Sequence, residues 1–128
     1  MQEKDLFEYA VIRVVPRVER EEFLNVGVVL YCAKQKFLRA ICKLDEARLR
    51  AICGPGVDTD DIADNLGAFM KIAEGGTEGG PIGELDLPSR FRWLTATRST
   101  VVQTSKVHPG FCQDAEDTLN RLFDQLVL

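Results

Sequence analysis

Val26-Gly-Val-Val-Leu-Tyr-Cys-Ala33, Lys34-Gln-Lys36 and Phe37-Leu-Arg-Ala-Ile-Cys-Lys-Leu44 follow one another without a break. Two runs rich in β-branched and aromatic residues flank a short polar turn, which predicts a hairpin. In the first run apolar residues fall on both faces, as in a central strand covered from both sides. In the second, Leu38, Ala40, Cys42 and Leu44 share one face, and Phe37, Arg39, Ile41 and Lys43 share the other. The first of these faces reads as core and the second as mixed. A turn near Gln35 places Cys32 near Leu38 and Cys42 near Val28, too far apart for a disulfide.

Working outward, Phe7 to Val15 predicts another strand, closed by Pro16, and Arg17 to Leu24 a charged connection. Asp45 caps a short helix to Ile52, ended by Gly54-Pro55-Gly56. A longer helix starts at Asp58 or Thr59, with Ile62, Leu66, Phe69, Met70 and Ala73 at helical spacing. Glu74 to Gly83 holds five glycines in ten residues and reads as a flexible loop about residues 74–83. No G-K-[ST] follows it and no strand precedes it, so it is not a phosphate-binding P-loop. Asp86 and Pro88 open a short helix carrying Phe91 and Leu94, and Thr100 to Thr104 reads as a strand. Asp114 caps a last helix striped by Ala115, Leu119, Leu122, Phe123 and Leu126. These elements predict one α+β domain over residues 1–128: a mostly antiparallel sheet of three or four strands packed against helices.

The 128 residues carry a net charge of −4, which argues against general electrostatic binding to duplex DNA. No apolar run is long enough to span a bilayer, and the start, Met1-Gln-Glu-Lys-Asp5, has no signal-peptide character; both point to the cytoplasm. Four cysteines without a C-x-x-C pair, and a single histidine, give no metal site, and no cofactor motif is present. Buried, reduced thiols are the expected state, with Cys112 near His108 as the alternative of a catalytic pair.

Charge is sorted along the chain. Leu87 to Gln113 contains no Asp or Glu yet carries Arg90, Arg92, Arg98, Lys106 and His108, among the hydroxyls of Thr95, Thr97, Ser99, Thr100, Thr104 and Ser105. Between Asp45 and Asp86, ten carboxylates face three basic residues. This sorting points to a cationic surface held apart from an anionic one. Arg98 reads either as an anion-binding fork of donors or as an arginine closing a short helix. His108, before Pro109-Gly110, is placed on a loop, where an imidazole serves acid–base chemistry or a plain surface role. Arg13 breaks an apolar strand and needs solvent, a ligand, or an acid such as Glu22 or Glu8. Arg13 and Arg39 would project from the mixed face toward the anion of Arg98. Trp93, between Arg92 and Leu94, reads as half-buried packing or as a surface on which a base stacks.

Tyr9-Ala-Val-Ile-Arg-Val-Val-Pro16, with Arg20-Glu-Glu-Phe-Leu-Asn-Val-Gly-Val-Val-Leu30, resembles the start of the bacterial family called domain of unknown function 3037. Arg90-Phe-Arg-Trp-Leu-Thr-Ala-Thr-Arg-Ser99 and Val107-His-Pro-Gly110 resemble its second block, with Pro109 where the family has a small or hydroxyl residue. The resemblance spans nearly the whole chain. It implies that Arg13, Glu22, Asn25, Arg98 and His108 occupy motif positions, with Asn25-Val26-Gly27 and Arg98-Ser99 its more specific pieces. It also brings in, as a partner, a kinase similar to the HipA toxin type, and with it a toxin–antitoxin-like role.

Three readings stand at this point. One is a non-catalytic accessory module with a basic site, built from Arg13, Asn25, Arg39, Trp93, Arg98, Ser99 and His108, for an anionic small molecule, single-stranded nucleic acid or a partner protein. The second is a small hydrolase, nuclease-like or phosphotransfer enzyme with His108 as acid–base, Arg98 stabilising charge and Glu22 as carboxylate. The third is a subunit that docks a partner through its acidic helical face.

Overall fold

A computed structural model describes residues 4–15, 23–53, 58–96 and 101–128, with the backbone alone at 52 and 53. Its spine is β1, Asp5–Val14, ten residues long. On one side β1 pairs antiparallel with β2, Leu24–Cys32, which in turn pairs with β3, Phe37–Cys42. On its other side two short strands lie end to end along β1. β4, Val102–Thr104, meets Ile12–Val14, and β5, His108–Cys112, meets Asp5–Tyr9. The result is an α+β fold on an open antiparallel sheet ordered β3-β2-β1, with β4 and β5 sharing the far edge.

Helices cover both faces. α1 (Glu46–Cys53), α2 (Thr59–Glu74), the single turn α3 (Gly80–Gly83) and α4 (Leu87–Leu94) follow the hairpin, and α5 (Ala115–Leu126) ends the chain. One core layer joins Ala10, Ile12, Val14, Val26, Val29, Leu38 and Ala40 to Leu49, Ile62, Leu66, Phe69, Phe91 and Leu94. The other joins Phe7, Val28, Leu30 and Cys32 to Ala115 and Leu119 of α5. β2 is therefore apolar on both sides because both sides are roofed, and each buried Leu or Ile contributes about 1.5–3 kcal/mol. The predicted caps form: Asp58, Asp86 and Asp114 each accept from the backbone N–H three residues on, at 2.9–3.1 Å.

The hairpin register differs from the expected one by a residue. Cys32 pairs with Phe37 and Cys42 with Gly27. The turn has four residues, with Lys36 N donating to Ala33 O at 3.2 Å and Lys36 itself at φ 51°. Sequence shows no reason for a lysine to enter the left-handed region, so the shorter turn was the natural expectation. Cys32, Cys42 and Cys112 are free thiols.

Between Ile12 and Arg13 the β1–β2 register shifts, leaving Val26 as the extra residue of a bulge. Gly27 follows it beneath β3. A Cβ there would stand 2.5 Å from Ile41 O and 2.9 Å from Cys42 Sγ, so Asn25-Val26-Gly27 is a backbone device as much as a motif.

The largest correction concerns His108, which is not on a loop. His-Pro-Gly reads as a turn, yet it opens β5. Proline is tolerated because β5 is an edge strand, and glycine at 110 leaves room for the Phe7 ring, which a Cβ would approach to 2.6 Å. The break between β4 and β5 is closed by Ser105. Its N–H donates to Val11 O, and its Oγ accepts from Val11 N, both at 2.8 Å. A side-chain oxygen thus replaces a carbonyl in the ladder.

The glycine-rich stretch contains a 3-10 turn, Thr77–Gly79, and then α3. It wraps Arg90, which is buried at 7% exposure with Nη1 donating to Ile72 O and Ala73 O at 3.3 Å. The cation sits on the carbonyl end of α2, where the helix dipole is negative. Gly75, at φ 85°, lies against the guanidinium, and any Cβ there would run into Arg90 Nη1. Arg90 is therefore a buried helix cap and not part of a cationic surface. Residues 17–22 and 54–56, expected as connections, lie outside the described residues.

Candidate functional site

Alternation along the strands decides which candidates share a face. Arg13 lies on the α5 side of β1, directly opposite Asn25 of β2 and Gln103 of β4. Its guanidinium stacks on Phe23, 4.1 Å from the ring centroid. Glu8, five residues earlier on the strand, points to the other face and is not its partner. Asn25 Nδ2 donates to Leu126 O in the last turn of α5 at 3.2 Å, and Arg48 Nη1 donates to Val127 O at 3.2 Å. The carbonyl end of α5 is thus tied down by an amide and a cation. Beside them opens a cavity of about 240 Å³ with Asn25, Lys43, Asp45 and Arg48 as its polar lining and Leu24 and Val127 as apolar walls. Arg13 Nε and Asn25 Oδ1 are buried and, among the described residues, have no hydrogen-bond partner.

His108 is on the same face, exposed, its ring 5.3 Å from that of Tyr9. Tyr9 is four residues along β1 from Arg13, so roughly 13 Å separates His108 from the Arg13 level. Arg39 also shares the face but lies at the opposite end of α5. It pairs with Glu116 at 3.1 Å, both side chains exposed, and rests over Phe37 at 5.3 Å. Such a pair contributes little stability and still ties up the cation. Trp93 stands on α4, which packs on the other face through Phe91 and Leu94, so the sheet lies between it and Arg13. Glu22, Arg98 and Ser99 lie outside the described residues.

Two hydroxyls of the acid-poor stretch serve the backbone. Thr95 Oγ1 donates to Phe91 O at 2.8 Å, and Ser105 completes the β1 ladder. Cys112 is no partner for His108. Four residues of extended strand, about 13 Å, separate them. The Cys112 thiol is pushed up by burial, and further by the Cys32 thiol beside it. Cys42 is pushed up by burial to about 12. Neither thiol supplies a thiolate near neutral pH.

Phe23 was missed because it closes a charged segment that reads as a connection, although it lies two residues before Asn25 and so on the same side of an extended chain. Gln103 was missed because three-residue β4 gives almost no sequence signal.

The match of this chain to a family model runs over residues 9–127, nearly its whole length, and the model's description is protein of unknown function (DUF3037). The chain belongs to that family. No curated protein and no solved structure matches it. Among the described residues no helix is long and apolar enough to cross a membrane.

Proposed function

We propose that this member of the family is a non-catalytic accessory module whose basic site receives an anionic group, from a small ligand, single-stranded nucleic acid or a partner protein. What supports the reading is Arg13, held on Phe23 with its Nε buried and unpartnered, next to Asn25. That Nε is an unmet buried donor, which costs about 1–3 kcal/mol until a group pairs with it. Arg98, Ser99 and His108 belong to the same proposed site, with Asn25 as its amide. Arg39 and Trp93 stand apart from it, the first paired with Glu116 at the far end of α5 and the second across the sheet.

The partner we propose is a kinase similar to the HipA type, on the family resemblance alone, with a toxin–antitoxin-like role. The alternative, a small hydrolase, nuclease-like or phosphotransfer enzyme using His108, Arg98 and Glu22, separates from this by experiment. Calorimetry with inorganic phosphate, short single-stranded oligonucleotides and such a kinase tests the binding reading. Arg13→Ala should weaken binding by about 1.5–3 kcal/mol, the scale of a charged hydrogen bond. Absence of binding to all three by the unmodified protein overturns the reading. Turnover of a phosphodiester that His108→Ala removes, with affinity retained, replaces it by the enzyme.

A further inference from the structure

Backbone direction along β1 fixes which side of β5 is open. Val11 exchanges its backbone bonds with Ser105, and the groups of β1 alternate, so Tyr9, Phe7 and Asp5 turn their N–H and C=O toward β5. Their partners His108, Gly110 and Cys112 answer them, which leaves Pro109 and Phe111 facing outward. Among the described residues no strand pairs with that outer side. Proline has no N–H to offer, so the free groups of the edge are Pro109 O and the N–H and C=O of Phe111. The Phe111 side chain is 67% exposed, and Leu6, its Cα partner on β1, is 51% exposed. The two share a face and form an apolar row that ends at the sheet edge. A groove of about 450 Å³ lies beside the end of this edge, between Phe111 and Gln113 on one side and Asp114, Asp117 and Arg121 on the other.

Charge changes sign at the same place. Exposed Lys106 and His108 precede Phe111, in a stretch without acids, and Asp114, Glu116 and Asp117 follow it. Such a segment is self-complementary when two copies run antiparallel about Phe111, because the basic side of each meets the acidic side of the other. We propose that the chain pairs with a second copy of itself, β5 against β5, about a two-fold axis at Phe111. The two Phe111 residues exchange both backbone bonds, and Leu6 and Phe111 of each copy join into one apolar row across the axis. Lys106 of each copy approaches Asp117 of the other. Pro109 falls opposite Gln113, whose carbonyl already accepts from Gln35, so the missing proline donor orphans nothing. The two sheets become one. Arg13 and Asn25 take no part, so the inference goes beyond the binding reading and does not rest on it.

The test is sedimentation velocity on the full chain over a wide range of concentration, with circular dichroism as the check on folding. The unmodified protein should rise with concentration toward twice the monomer mass. Phe111→Asp should weaken association by about tenfold or more, with an unchanged dichroism spectrum. Lys106→Glu and Asp117→Lys should each weaken it severalfold. The double variant, which restores opposite charges across the axis, should recover most of that loss. These two changes fall on exposed residues and still decide the matter if Phe111→Asp does not fold. A monomer at every concentration overturns the proposal and leaves the edge to a strand of another protein. A dimer that Phe111→Asp leaves as tight as before, or a double variant no tighter than its single parents, overturns it as well.

Discussion

The two faces of the sheet treat a buried arginine in opposite ways. On the α2–α4 face, Arg90 is enclosed, its Nη1 shared between two carbonyls and a glycine cleared to make room for it. On the α5 face, Arg13 is only partly covered, stacked on an exposed Phe23 and set opposite an amide that is itself half-satisfied. Stability built the first arrangement. The second leaves a buried donor and a buried acceptor unmet among the described residues, which costs free energy that packing must offset.

The comparison breaks most readily at Gly75. Gly75→Ala forces a side chain into a left-handed backbone position and displaces a buried guanidinium. It should cost about 2–4 kcal/mol in urea unfolding, against under about 1 kcal/mol for Arg13→Ala. If Arg13→Ala costs as much as Gly75→Ala, Arg13 is a structural arginine and the contrast between the faces is lost. A middle-sized effect is expected at the edge both faces share. Ser105→Ala leaves the Val11 N–H without its acceptor and should destabilise by about 1–2 kcal/mol, with faster hydrogen exchange at Val11.

Which parts were legible follows from how local their causes are. The β2–β3 hairpin and the Asp58, Asp86 and Asp114 caps declare themselves within a few residues, so they could be read directly. β5 could not, because His108-Pro-Gly110 is a turn by every local rule and becomes a strand only through pairing with β1, about a hundred residues earlier in the chain. Arg90 could not either: a buried cap and a surface cation look alike until α2 ends against one of them. The candidate site was half legible. Arg13 stood out as a charge in an apolar strand, but Asn25 was marked only by family resemblance and Phe23 by nothing at all.

The smallest expected effect sharpens the helical face. The Asp86 carboxyl is held below its usual range first by its side-chain hydrogen bond with Ser89 and then by that residue's backbone N–H, with Arg92 and Arg90 adding weaker attraction. A lowered carboxylate pKa contributes stability above the unfolded value, near 4, and loses it as pH falls through the folded one. Acid titration of the melting temperature should therefore show a shallow loss below about pH 4, and Asp86→Asn should flatten it. An unchanged slope in that variant would remove Asp86 from the account.

Gln35, in the hairpin turn, reaches three distant places at once. Its amide N–H donates to Asp5 Oδ2 at 3.1 Å and to Gln113 O at 3.0 Å, while its Oε1 accepts from Ala115 N at 2.9 Å. One short-range turn thereby clasps the start of β1, the end of β5 and the first residue of α5. The clasp joins residues some eighty positions apart, so it closes only after the long chain loop between them has been brought together. A contact of that range is expected late on the folding route, and contacts made after the transition state act chiefly on the rate of coming apart. Gln35→Ala is therefore expected to shorten the lifetime of the native state, read as faster unfolding, with little change in how quickly that state is reached.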